Sequence, residues 1–360
     1  MTAVLRWVVL ASAAALLGWT GQLLEVPGGW FVGPLLVSVT YALLSRRKTR
    51  VGRPVLMAAQ TVIGTMIGGA IHVESLAGLV PFLPQVALVL IVTLGVSLAA
   101  GLLLARTGKI SRETAVLGTL PGGASAMTLL SIETGADSRV VALMQYLRVF
   151  LVVLSSSLVA HLLSHAVPGA HAAALPVPTV PPTWIDYAGT VAIAVAGAFA
   201  GVAARLPTAT FLGPMILSFL ASAFHLIHPV WFWGVPQGAY VILGLYVGLL
   251  FDRASVVASL KLLPLLVVNG LALIVLCGLS GWGFAALIGA QPLTGYLATS
   301  PGGADTVAII ALGSGANFGI VFSVQILRFV VILAAGPPLA RAVLKRFKSS
   351  DTPFSGGTHE

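Results

Sequence analysis

The chain has 360 residues, 58% of them hydrophobic and 8% charged, with a formal net charge of +9. Soluble globular domains carry roughly 25% charged residues, so this composition excludes a body that covers itself for water. A single cysteine, Cys277, excludes a disulfide framework and a cysteine-rich metal centre.

The apolar runs come in order along the chain. Candidate helices lie at about 5–24, 29–45, 54–72, 84–106 and 139–164, several near the roughly 20 residues that span a bilayer. Alternating ten-residue segments of the outer-membrane barrel type are absent. The first run, with Arg6 ahead of small and apolar residues, has the look of a signal peptide. It also has a partner in the second half, at Tyr187 to Ala204, and is therefore expected to be a retained span. Basic residues sit at the ends of apolar runs, with Arg46, Arg47, Lys48, Arg50 and Arg53 in one loop and Arg341, Lys345, Arg346 and Lys348 near the end. That distribution follows the positive-inside rule rather than a nucleic-acid surface. The seven histidines form no helical metal-ligand pair with an acidic partner.

Between the fourth and fifth runs stands LPGGASAMTLLS, followed by QYLR; in the second half stands SPGGADTVAIIA, followed by QILR. Shifted by 180 residues, the chain aligns with itself without a gap. From 121 to 148, ten of 28 positions are identical to their partners, the mark of an internal repeat. FVGPLLVS at 31–38 falls on FLGPMILS at 211–218, and Gly64 and Gly68 fall on Gly244 and Gly248. The domains read as membrane repeat 1 (1–165), a Pro/Ala-rich linker (166–183), membrane repeat 2 (184–345) and a cytoplasmic tail (346–360). Loops at 45–53 and 106–112 are basic in the first repeat, whereas their partners at 225–233 and 286–292 hold no Lys or Arg. Opposite bias at equivalent loops implies opposite orientation. The expected fold is an all-α polytopic membrane protein of two inverted five-helix repeats. Each repeat carries a Pro-Gly-Gly re-entrant or broken-helix segment, and both termini are cytoplasmic.

The candidate binding residues follow from these repeated features. Gly122, Gly123, Ser125, Gly302 and Gly303 lie where backbone could approach a ligand closely, or where the chain simply turns tightly. Gln145 and Arg148, like Gln325 and Arg328, share a helix face at a spacing of three. An intramembrane arginine marks either a binding function or a buried structural pairing. Asp305 replaces Ser125 in the second half and is the candidate for a titrating coupling-ion site, with a helix N-cap as the plain alternative. Glu133 and Asp137 are expected near the cytoplasmic surface. The Gly-Pro pairs at 33–34 and 213–214 mark a kink or a site, and the spaced glycines mark close helix packing.

These motifs resemble the AbrB family of bacterial membrane proteins, also described as a membrane AbrB duplication and, under an older label, as ammonia monooxygenases. The resemblance covers nearly the whole chain. It implies a place in the cation/proton antiporter and anion transporter superfamily, whose citrate and glutamate symporters are similar in having five-helix inverted halves with Gly-Gly re-entrant loops. A monooxygenase needs redox-metal ligands, and a DNA-binding regulator needs a soluble domain; these residues supply neither. The expected function is secondary transport of a small anionic solute coupled to H+ or Na+ by alternating access, not catalysis. A membrane sensor acting indirectly on gene expression is the alternative. No cofactor or metal is expected. The expected partners are membrane lipid and a small-molecule or ion substrate, with no direct nucleic acid, and a homodimer stays open. The expected location is the bacterial inner membrane.

Overall fold

A computed structural model describes residues 3–45, 48–121, 124–166, 182–206 and 208–348, and what they build is helical. The first half runs α1 (Ala3–Leu23), α2 (Gly29–Leu44), α3 (Arg53–Gly69), the short α4 (Val73–Ala77), α5 (Leu83–Arg106), α6 (Arg112–Thr119), α7 (Ala124–Thr134) and α8 (Ser138–Ala166). The second runs α9 (Trp184–Ala203), α10 (Ala209–Ala223), α11 (Val235–Gly248), α12 (Arg253–Ala258), α13 (Leu263–Ile288), α14 (Pro292–Thr299), α15 (Ala304–Leu312) and α16 (Phe318–Lys348). The element order repeats: α6 and α14 begin and end 180 residues apart.

Five helical segments, in α1, α5, α8, α9 and α13, are long and apolar enough to cross a bilayer. They also present apolar side chains outward, such as Trp19, Phe199, Val268 and Leu279. A helix that is apolar on its exposed face needs lipid there, and the protein is accordingly a polytopic membrane protein. The five candidate helices of each half appear near the expected bounds. Helices α2 and α10 continue through Pro34 and Pro214, so the Gly-Pro pairs do not break them.

The helices sort into two bundles, and each bundle takes helices from both halves. In the first, α3 packs along α10 and α2 along α11, with α1 on α2 and α9 on α10. In the second, α5 and α13 pack together and carry α6 and α14, which in turn lie against α8 and α16. Glycine decides how closely the first bundle closes. A Cβ at Gly64 or Gly68 would collide with the backbone of Phe211 or Met215 on α10, and one at Gly244 would come within 2.5 Å of the Phe31 carbonyl on α2. Gly33 lies so close to α1 that a Cβ would stand 2.6 Å from the Gly18 nitrogen. With backbones this close, hydroxyls reach across: Ser218 Oγ donates to the Thr65 carbonyl at 2.7 Å, and Ser38 Oγ to the Gly244 carbonyl at 3.2 Å. Small residues supply packing in membranes because lipid tails offer no hydrophobic drive between helices.

Candidate functional site

The second bundle holds the duplicated motifs as two helical hairpins. Helix α6 doubles back along α5, where a Cβ at Gly101 would touch Val116. It stops at Leu120 and Pro121, because the extended backbone at Leu120 and the proline end the helical ladder. Helix α7 then returns. The hairpin is tied at its base by Thr114 Oγ1, which accepts from the Asp137 amide at 2.9 Å. The second hairpin, α14 and α15, repeats this, with Thr294 Oγ1 accepting from the Asn317 amide at 3.0 Å. Each segment therefore leaves and returns at one level.

The turn leaves the last carbonyls of α6 and α14 without helical partners. The Gln-x-x-Arg pairs supply them. Gln145 Nε2 donates to the carbonyls of Leu117 (2.9 Å) and Leu120 (3.0 Å), and Gln325 Nε2 to those of Leu297 (2.7 Å) and Ser300 (3.2 Å). Arg148 Nη1 donates to Thr119 and Leu120, and Arg328 Nη1 to Thr299 and Ser300. In each pair the arginine Nη2 also donates to the glutamine Oε1, at 2.8 and 2.6 Å. All four side chains are buried. Arg328 Nη2 adds a bond to the Gly302 carbonyl at 2.9 Å. Both arginines thus hold hairpin tips, and neither pairs with a carboxylate among the described residues. Arg148 Nε is buried with no partner among them.

The two tips lie side by side on α8. Its Gln145 and Arg148 grip the first tip. One to two turns further on, Ser156 Oγ lies 3.4 Å from Ser300 Oγ, and a Cβ at Gly302 would meet Val152. Tyr296 donates to Ser155 at 3.2 Å, and Thr299 to the Cys277 carbonyl at 2.8 Å. The bases of the hairpins lie apart. The first is fixed at Asp137, where α8 begins. The second ends at Gly313 against Gly28, beside Pro27, whose carbonyl accepts from Ser157 on the far part of α8 at 2.8 Å.

Gly122 and Gly123 lie outside the described residues; Ser125 is in the first turn of α7. Asp305 is not an N-cap: Gly303 holds that position, and Asp305 sits in the first turn of α15, where its Oδ1 accepts from the Thr306 amide at 2.9 Å. Glu133 and Asp137 are exposed, and Asp137 Oδ1 accepts from the Arg139 and Val140 amides to start α8. The base threonines, the serines of α8 and Tyr296 escaped the sequence reading. Comparison of the halves holds a signal for one group, since Ser155, Ser156 and Ser157 fall on Ala335, Gly336 and Pro337.

A cavity of about 640 Å³ opens between the bundles. Lys48, Arg50, Asp252 and Arg253 line it together with Tyr146 and Tyr246. Tyr146 adjoins Gln145 along α8. Lys48 pairs with Asp252 at 3.4 Å. Burial pushes the Asp252 carboxyl up, but the Ser255 hydroxyl and the Lys48 ammonium together hold it below the usual carboxylate range.

Residues 30–344 match the family model described as "Transition state regulatory protein AbrB". The "Putative regulator AbrB" of Escherichia coli (strain K12) is 33% identical over 343 residues, covering 94% of this chain and 97% of that protein. The "Uncharacterized protein YhjN" of Bacillus subtilis (strain 168) is 26% identical over 359 residues, covering 93% and 92%. Sequence and architecture together place this chain in the AbrB family, as one of its polytopic membrane members.

Proposed function

We propose that the protein is a secondary transporter of a small anion, coupled to H+ or Na+, in the bacterial inner membrane with both termini cytoplasmic. The observation that carries this reading is the meeting of two hairpin tips on α8. Each tip lies roughly 15 Å from a helix end, counted as ten residues from Ser138 to Arg148 and eleven from Cys277 to Ile288 at 1.5 Å each. That is about half of a hydrocarbon core of roughly 30 Å. A first base at the start of α8 and a second beside Gly28, whose neighbour Pro27 bonds Ser157, suit hairpins that are re-entrant from opposite faces and repeats that are inverted. Inverted repeats with broken helices at the midplane are a common transporter plan.

Charge supports an anion. Two buried guanidiniums against the single carboxylate of Asp305 leave the tips with an excess of positive charge, and the N-terminus of α15 adds its dipole. Asp305 and the α8 serines belong to the second tip alone, which suits a coupling site needed once. The separation into two bundles suits alternating access, because one can move against the other while each stays packed. No chemical step is assigned to these residues.

The test is flux in sealed proteoliposomes, screened over small carboxylates and inorganic anions. Asp305→Asn is expected to abolish dependence on the H+ or Na+ gradient while ligand binding survives. Coupling that persists in this variant removes Asp305 from the reading. The names of the relatives favour a second reading, a membrane sensor that affects gene expression indirectly. Saturable binding without flux would select it.

A further inference from the structure

We propose that the cavity between the bundles is a binding site of its own for an organic anion with a flat apolar body, separate from the hairpin tips. Its volume of about 640 Å³ falls within the roughly 300–1,000 Å³ of small-molecule pockets. Its charge is uneven. Lys48, Arg50 and Arg253 face one carboxylate, Asp252, and that carboxylate is already engaged by Lys48. Arg50 and Arg253 remain, both exposed to the cavity mouth and neither in an ion pair among the described residues. A guanidinium presents a planar fork matched to carboxylate or phosphate, so the mouth selects an anionic head group.

The lining also has an apolar part, in which Tyr146 and Tyr246 join Leu249, Leu250 and Phe251. The Phe251 ring is held edge-on by Phe150, with centroids 5.8 Å apart, so part of the wall is built before any ligand arrives. Flat aromatic faces with polar tips suit an aromatic or similarly planar body. The remaining titratable group at the mouth, Tyr41, is occupied by Thr49 at 3.2 Å and competes for no anion. The lining comes from both bundles, from α2, α11 and α12 and, through Tyr146, from α8. An occupant therefore bridges them.

An anionic head on an apolar body describes a soluble solute and an anionic lipid equally. The experiment separates these sources. The full chain is placed in nanodiscs of phosphatidylcholine and titrated calorimetrically with 2,6-naphthalenedicarboxylate, and in parallel with its neutral diamide. We expect saturable binding of the dianion and none of the diamide. The paired change Arg50→Gln and Arg253→Gln should weaken binding by about tenfold or more, roughly one charge contact. Doping the discs with phosphatidylglycerol assigns the source: competition identifies a lipid head group, and unchanged binding identifies a solute. Absence of binding in phosphatidylcholine discs, equal binding in the paired variant, or binding of the diamide overturns the proposal. Both arginines are exposed, so the variant should melt like the parent. If it does not, protection of Thr49→Cys from maleimide by the dianion decides instead, and lack of protection overturns the site. Occupancy is read at equilibrium without a gradient, so this outcome is independent of whether the protein transports.

Discussion

At the scale of single residues, Gln325 and Arg328 show how a polar side chain survives in a membrane core. Their donors are matched to carbonyls that the broken helix α14 has freed, so buried donor and buried acceptor satisfy each other. Gln325→Ala strips two carbonyls of a partner and leaves the Arg328 Nη2 one acceptor short. We expect a cost of about 2–4 kcal/mol, read as a lowered melting temperature in detergent. The control is Ser323→Ala, which removes only a bond to its own helix at Gly319 and should change little. The sequence displayed the glutamines and arginines through their spacing and duplication. It could not display their partners, because a backbone carbonyl has no residue type to read. Asp252 illustrates the effect of pH. Its carboxyl is held low, so the stability it lends through Lys48 is complete above the ordinary carboxylate range. That contribution is lost only as pH falls through the lowered value. The stability difference between parent and Asp252→Asn should be constant from pH 7 to about 5 and shrink toward zero in stronger acid. Measuring both melts against pH checks this, and a difference that grows in acid would contradict it.

At the scale of elements, the long helices were legible because apolar length has one physical reading in this composition. The short ones were less so. Helices α4 and α12, of five and six residues, carry too little periodicity to stand out. The hairpin arms α6 and α14, of eight residues each, are too short to show a repeating stripe. Glycine spacing announced close packing but not against which helix. The structure makes that choice testable. Gly244 faces the Phe31 carbonyl at a distance that no Cβ tolerates, whereas Gly283 has open space around it. Gly244→Ala should destabilise by about 1–3 kcal/mol through overpacking. Gly283→Ala should be neutral or stabilise by up to about 1 kcal/mol, since alanine favours the helix. Thermal melts of the two variants side by side would decide, and equal effects would refute the α2 and α11 pairing.

At the scale of the whole molecule, the duplication was legible and the exchange of helices between its halves was not. A repeat in sequence suggests two units side by side. The contacts instead weave them, α3 on α10 and α2 on α11, because the glycine-lined face of each half fits the Gly-Pro helix of the other. Chains cut within the linker at 166–182 should therefore restore a folded, binding-competent protein when the two pieces are made together, and neither piece should be recovered alone. Co-purification of an untagged half with a tagged one checks this. The same weave constrains biogenesis. At about 5–20 residues per second, a ribosome needs roughly 10–40 s to complete the second set of 180 residues. During that interval α2 and α3 have left the ribosome without their partners, and their exposed glycine faces are open to strangers. The newborn first half is thus a client for insertion and quality-control factors, and its fate is settled by how soon α10 and α11 arrive.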